Sequence, residues 1–268
     1  MEEKVLGVIG GLGPMATAHF LELTTRMTDA KVEQQNLDMI VYNFPSIPDR
    51  TGYILGSNLK SPLPGLLWAG RSLAQQGVDV IAIPCVTAHC FYEELCEGVR
   101  TPIIHGVRET ARHLKARGVS SAGIMATDGT ILSGLFSRAL SDEGIRPVLP
   151  SKARQADVMQ IIYKDIKAGN PPDMTKFHAV EEELRKKGAE TIVLGCTELS
   201  LVKKDFPLGP GYLDSMEVLA QQALLRCGKP IKQQYHNLIT QEGENHDPKH
   251  PGISGGNRAG SPGQAGFC

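Results

Sequence analysis

Cys85 and Cys196 stand at equivalent points of two similar stretches. VIAIPCVTAH (80–89) and TIVLGCTELS (191–200) each run an apolar strand into Pro or Gly, then a cysteine, with a threonine close behind. A cysteine just past a strand and before a helix faces free main-chain N–H groups and the positive end of a helix dipole, which favour a reactive thiolate. One such thiol alone is more often a small packing residue. Two at matching positions suit a reaction that needs a proton carrier on each face of one carbon. Such a pair removes a Cα proton from one side and returns one to the other, exchanging acid and base roles with the hand of the substrate. A free thiol titrates at about 8.5, so either state is within reach near neutrality. The carbanion is enediolate-like, and N–H groups at the two helix starts could hold its oxygens. No lysine stands in an evident pyridoxal-phosphate context, so the electron sink would be the protein's own dipoles and hydrogen bonds.

Other chemical residues admit two readings each. Thr87 and Thr197 could cap the helices after the cysteines or bond to substrate. Glu198 either shapes the neighbouring thiol or occupies a first helical turn, where acids are favoured. Arg50 follows Pro48 and Asp49 in a loop and is either a cleft or a surface arginine. Lys167 near a helix C-terminus suits the macrodipole by itself. His89 and His105 read as packed helix-start histidines rather than acid–base groups. GLGPMA (11–16) fits a dinucleotide fingerprint, but the second strand ends in Asn43 where that motif wants an acid, so a tight strand-to-helix turn is preferred.

The elements that must position these groups alternate strand and helix. Strands are expected at 5–10, 37–43, 78–84 and 102–104, with helices from Pro14, over 63–76 and from about Thr87. The pattern then restarts, with strands at 121–126, 145–149 and 191–195. Helices are expected at 108–117, 131–143, 156–168, 175–187 and 215–225. VLGVIGGLGP (5–14) and SAGIMATDGT (121–130) form a second, weaker echo, consistent with an ancient duplication. The reading is therefore α/β, with two similar Rossmann-like domains of mostly parallel sheet. The expected boundaries are 1–104 plus a closing helix within 213–230, and 105–212. The segment 241–268 is rich in Gly, Pro, Asn and Ser and is expected to be disordered, with Cys268 an exposed thiol.

Six ordered motifs now carry a resemblance: GGLGPMAT (10–17), IPDRT (47–51), IPCVTAH (83–89), ATDGT (126–130), IKAG (166–169) and LGCTELSL (194–201). Together they resemble the aspartate/glutamate racemase family over nearly the whole chain to about Leu225. The resemblance implies two Rossmann-like domains, a site in the cleft between them, two catalytic cysteines, no cofactor and often a homodimer. It assigns catalysis to Cys85 and Cys196. Arg50 and Lys167 would receive a distal carboxylate, with Gly11, Thr87, Thr127, Thr130 and Thr197 around the substrate and Glu198 beside them. In one departure, Val86 replaces an asparagine that would donate to a substrate carboxylate. Related decarboxylases and maleate-type isomerases, or a small-acid binding protein that has lost activity, are the alternatives.

Composition agrees with a globular enzyme acting on a small molecule. The chain has 268 residues and a net charge of −1, which gives no electrostatic reason to bind nucleic acid or anionic lipid. No run approaches the ~20 apolar residues of a membrane span. The N-terminus lacks the parts of a signal peptide, so a cytoplasmic location is expected. None of the six cysteines forms a C-x-x-C pair, and Cys90, Cys96 and Cys227 are assigned to packing.

Overall fold

The structure is a computed structural model that describes residues 4–241. The expected disordered segment, Cys268 included, lies outside the described residues except for Gln241. Two parallel sheets carry the fold. The first has β1 (Leu6–Gly10), β2 (Met39–Asn43) and β3 (Val80–Ala82) in the order β2-β1-β3. The second has β4 (Ser121–Met125), β5 (Arg146–Val148), β6 (Thr191–Leu194) and β7 (Tyr212–Asp214) in the order β5-β4-β6-β7. β1, β3, β4 and β6 are buried along their whole length, as befits parallel strands covered by helices on both faces.

The two sheets repeat one plan. β1 and β4, the strands of the weaker sequence echo, are flanked on both sides. β3 and β6, which lead to the two cysteines, each pair in parallel with that flanked strand. The helices are α1 (Pro14–Met27), α2 (Arg50–Ile54), α3 (Leu63–Gln75), α4 (Tyr92–Gly98), α5 (Gly106–Ala116) and α6 (Asp128–Leu132). They continue with α7 (Leu135–Asp142), α8 (Lys152–Gln160), α9 (Met174–Lys186), α10 (Thr197–Asp205) and α11 (Ser215–Arg226). Pro14 opens α1 at its first position, where its missing N–H costs nothing. α11 packs against α1 and α5. One apolar cluster runs from Leu6 and Val8 through Met216 and Leu219 to Ala122 and Ile124, so the two halves share a core.

Several expected elements differ in detail. The expected helix 131–143 is split at Gly134, whose φ of +66° is left-handed and ends α6. The expected helix 156–168 begins earlier, at Lys152, then widens into a π turn (Ile161–Asp165) and closes with a 3-10 turn (Ile166–Ala168). The segment after Cys85 starts as 3-10 (Val86–Phe91) before α4. Residues 102–104 contribute a single bridge, Ile103 to Ile81, rather than a strand. β7 and α2 were not anticipated.

Candidate active site

The carboxyl ends of β1, β3, β4 and β6 face one cleft, where doubly wound sheets bind ligands. The first half lines it with Leu12, Asp49, Arg50, Thr51, Cys85, Val86 and Thr87, and the second with Thr127, Tyr163, Lys167, Cys196, Thr197 and Glu198. Thus Cys85, Cys196, Arg50, Lys167, Thr87, Thr127, Thr197 and Glu198 come together, over separations of up to 148 positions in the chain. Thr130 lies just behind the lining, and Gly11 does not reach it. Gly11 has φ +86° and its N–H donates to Thr17 Oγ1 at 2.9 Å. A Cβ there would stand 2.3 Å from the Phe44 nitrogen, so its work is to let the β1–α1 turn touch the exit of β2.

Each cysteine is itself the N-cap residue of the helical segment that follows, with extended backbone: φ −158°, ψ 106° at Cys85 and φ −143°, ψ 136° at Cys196. The two threonines therefore do not cap, because they already lie inside the first turn. Thr87 instead joins a buried set of hydroxyls. Its Oγ1 lies 3.1 Å from that of Thr127 and 3.0 Å from that of Thr130, while Thr51 donates to Thr127 at 3.2 Å. These four hydroxyls join the two halves of the molecule and give the cleft a polar wall.

The charges around the two thiols differ. Cys196 donates to Glu198 Oε2 at 2.8 Å, and Thr197 Oγ1 donates to the same oxygen at 3.3 Å. Burial pushes the Cys196 thiol far up and the Glu198 charge adds to it, against the opposing pull of Lys167. The sequence expectation that the helix start lowers this thiol is corrected accordingly. Beside Cys85 the neighbour is Arg50. Burial pulls the Arg50 guanidinium down, but Cys85 and Asp49 more than offset it and hold the arginine firmly charged.

Arg50 is buried and strongly engaged by the main chain. Its Nη2 donates to the Leu12 carbonyl at 2.7 Å, and Nη1 to the carbonyls of Pro48 at 3.1 Å and Ile47 at 3.3 Å. Its Nε has no hydrogen-bond partner among the described residues. Lys167 Nζ lies 3.9 Å from Asp49 Oδ1 and 3.9 Å from Glu198 Oε1, and 4.0 Å from the centre of the Tyr163 ring. Burial pulls its ammonium down, but Glu198, Cys196, Tyr163 and Asp49 hold it above the usual lysine range. His89 is fully enclosed, with Nδ1 at 3.0 Å from the Cys85 carbonyl and Nε2 accepting from the Gly106 N–H at 3.1 Å, which bears out the packing reading. His105 caps α5 by accepting from the Arg108 N–H.

Asp49, Thr51 and Tyr163 are cleft residues that sequence reasoning did not name. Asp49 and Thr51 belong to the IPDRT motif and could have been taken with Arg50. Tyr163 carried no signal, because its direction depends on the π turn. Free space between the lining side chains is about 10 Å³, room for about one water and far less than an amino acid occupies. Entry of a substrate therefore requires the lining to part. Among the described residues, no three or more His, Cys, Asp or Glu side chains cluster so as to hold a metal ion, and no helix is long and apolar enough to cross a membrane.

Known proteins resemble this chain in sequence and fold. A family model described as Asp/Glu/hydantoin racemase matches residues 9–223. The chain is 26% identical over 226 residues to a broad specificity amino-acid racemase, RacX, of Bacillus subtilis, covering 82% of this chain and 96% of the relative. Among solved structures, an aspartate racemase of Picrophilus torridus matches with a TM-score of 0.75 and 30% identity, over 87% of this chain and 97% of that one. A putative Asp/Glu racemase from Yersinia pestis shares the fold at a TM-score of 0.71 with 22% identity, over 84% of this chain and 99% of its own.

Proposed function

We propose, for a chain that belongs to the Asp/Glu/hydantoin racemase family, that it inverts the Cα configuration of a dicarboxylic amino acid, aspartate or glutamate, with Cys85 and Cys196 as its two proton carriers. The observation that carries this reading is the meeting of two cysteines, each at the N-cap after a matching strand, in one cleft. In the resting enzyme Cys196 holds its proton against Glu198 and serves as the acid. Cys85, beside the Arg50 cation, serves as the base. Cys85 removes the Cα proton from one face and Cys196 returns one to the other. Substrate of the opposite hand needs the pair in the reversed state, and Lys167 beside Cys196 would stabilise that thiolate.

The negative charge of the intermediate spreads onto the α-carboxylate oxygens. Hydroxyls of Thr87, Thr127 and Thr51 are close enough to one another to turn toward such a group as a set. Arg50 and Lys167 bring positive charge for the second carboxylate, with Lys167 the more accessible because the Arg50 Nη groups already serve main-chain carbonyls. The similar aspartate racemase of Picrophilus torridus supports the dicarboxylate choice. A wider range of side chains is a second reading, favoured by apolar Leu12 and Val86 in the lining and by the broad specificity relative.

The test is incubation with L- and D-aspartate, L- and D-glutamate and L-alanine in D2O, followed by mass and chiral analysis. Deuterium at Cα with inversion, for aspartate or glutamate ahead of alanine, is the expected result. Absence of deuterium from all five would overturn racemisation, and a preference for alanine would overturn the dicarboxylate choice.

A further inference from the structure

The two carboxylate oxygens of Asp49 have different main partners, although the Tyr163 hydroxyl is within reach of both, 3.2 Å from Oδ1 and 3.4 Å from Oδ2. Oδ2 accepts from the Gly52 N–H at 2.6 Å and so caps α2. Oδ1 points across the cleft, 3.2 Å from the Tyr163 hydroxyl and 3.9 Å from Lys167 Nζ. Tyr163 and Lys167 come from the second half of the chain and Asp49 from the first. The phenol donates to this oxygen while its ring face supports the ammonium 4.0 Å from the ring centre. An O–H donor and an ammonium converging on one carboxylate oxygen are what recognition of a ligand carboxylate requires. Here the carboxylate is supplied by the protein, in a cleft that has no room for substrate.

We propose that Asp49 Oδ1 occupies the place of the substrate's second carboxylate, and that Tyr163 and Lys167 select dicarboxylate ligands by exchanging this internal group for the ligand's own. The inference rests on reading the cleft as a dicarboxylate site. The exchange costs Asp49 little. Its Oδ2 keeps the α2 cap, and its side chain is 39% exposed against 6% for Glu198, so the released oxygen regains water. A ligand with one carboxylate offers Tyr163 and Lys167 nothing in return for Asp49, so the internal group stays in place. Arg50 is poorly placed to share the exchange, since freeing its Nη groups strands three carbonyls. Tyr163 is thus a specificity residue, and Asp49 an internal competitor whose charge sets how strongly a second carboxylate must bind.

Isothermal titration with succinate, which has two carboxylates, and butyrate, which has one, tests this without relying on turnover. The proteins are the parent, Asp49→Asn and Tyr163→Phe. Asparagine caps a helix about as well as aspartate, so α2 is kept while the competing charge is lost. Removing a charge ~4 Å from the incoming carboxylate, discounted for solvent screening, should tighten succinate about tenfold. Butyrate should shift less than about twofold. Tyr163→Phe keeps the ring under Lys167 and should weaken succinate about fivefold, again sparing butyrate. Succinate bound no tighter by Asp49→Asn, or both ligands shifted equally, overturns the inference. If the parent binds no measurable succinate, Asp49→Asn must bind it, and failure of both also overturns it. The D2O assay is read separately. Exchange with unaltered succinate selectivity sinks the surrogate alone, and selectivity changes without exchange sink the racemase reading alone.

Discussion

At the end of β3, Cys85 has a guanidinium for a neighbour, whereas at the end of β6, Cys196 has a carboxylate. The backbone treats the two alike. Both are N-caps, both follow a strand paired to a flanked central strand, and both are 6% exposed. On the proposed mechanism, the repeated plan would fix where two proton carriers stand relative to one carbon. Side chains that are not repeated, Arg50 and Glu198, give the two thiols neighbours of opposite charge. On that mechanism, a repeated scaffold with unlike charges would meet one hand of substrate already prepared, and the other only after a proton has been moved.

The harshest way to break this comparison is to remove either thiol. Cys85→Ala and Cys196→Ala should each lower racemisation at least about a thousandfold by chiral chromatography. Each variant keeps one carrier, so residual Cα–deuterium exchange should favour opposite enantiomers in the two. Racemisation by Cys196→Ala at parental rate would end the two-base scheme.

Glu198→Gln tests the asymmetry itself. With the charge gone, Cys196 alkylation by iodoacetamide at pH 7 should rise about tenfold in peptide mapping, while Cys85 shifts less than about twofold. In the parent, the direction that uses Cys196 as base should gain rate as pH rises above neutrality, because its elevated thiol must first lose a proton. The variant should gain that rate at lower pH. An unchanged profile would mean that Glu198 does not set the state of Cys196.

Val86→Asn sharpens the Cys85 side. A donor added beside a carboxylate is worth ~1.5–3 kcal/mol at best. Val86 is also packed into the shared core, so a gain of about three- to tenfold in kcat/KM for aspartate or glutamate is expected. No gain would show that this position no longer faces substrate.

The smallest effect on catalysis is expected one turn beyond Cys196, where Ser200 donates to buried Asp214 at 2.7 Å. Burial and then Glu217 push the Asp214 carboxyl up to about 7, against Lys203. A folded-state value above the unfolded one means that the folded protein holds this proton more tightly. Stability from it is present below the unfolded carboxyl range and is lost as pH rises through 7. Asp214→Asn keeps an amide to cap α11 and should flatten the melting temperature between pH 4.5 and 7.5 by about 3 °C, with activity within about twofold. A parallel pH slope in both proteins would refute it.

Much of the site could be read from residues alone, because the chemistry sits where strands end and those ends carry short, recognisable strings. Cys85, Cys196, Thr87, Thr197 and Glu198 could be placed at strand ends from the alternation of strand and helix, whereas Thr127, Thr130 and the shared cleft followed from the family resemblance. What side chains do with one another was not legible. Arg50 has its Nη groups occupied by Leu12, Ile47 and Pro48 carbonyls, a fact set by the path of a loop. Gly134 breaks a helix whose apolar spacing continues through it, since periodicity does not register a single left-handed residue. β7 was hidden because three residues between a Gly/Pro turn and a helix give too short a pattern to count.

The π turn at Ile161–Asp165 bears on how this cleft can change length during evolution. Widened turns of this kind arise when a helix accepts one extra residue without shifting what precedes it. Each residue of a regular helix advances the chain by about 100° around its axis. Loss of one residue between Gln160 and Asp165 would let α8 run on as an ordinary helix and rotate Lys167 by about that angle, away from Asp49 and Glu198. To keep that contact after such a loss, a cation would be needed at a different offset. A one-residue deletion in this short segment would thus alter the charge of the cleft more than most single substitutions nearby.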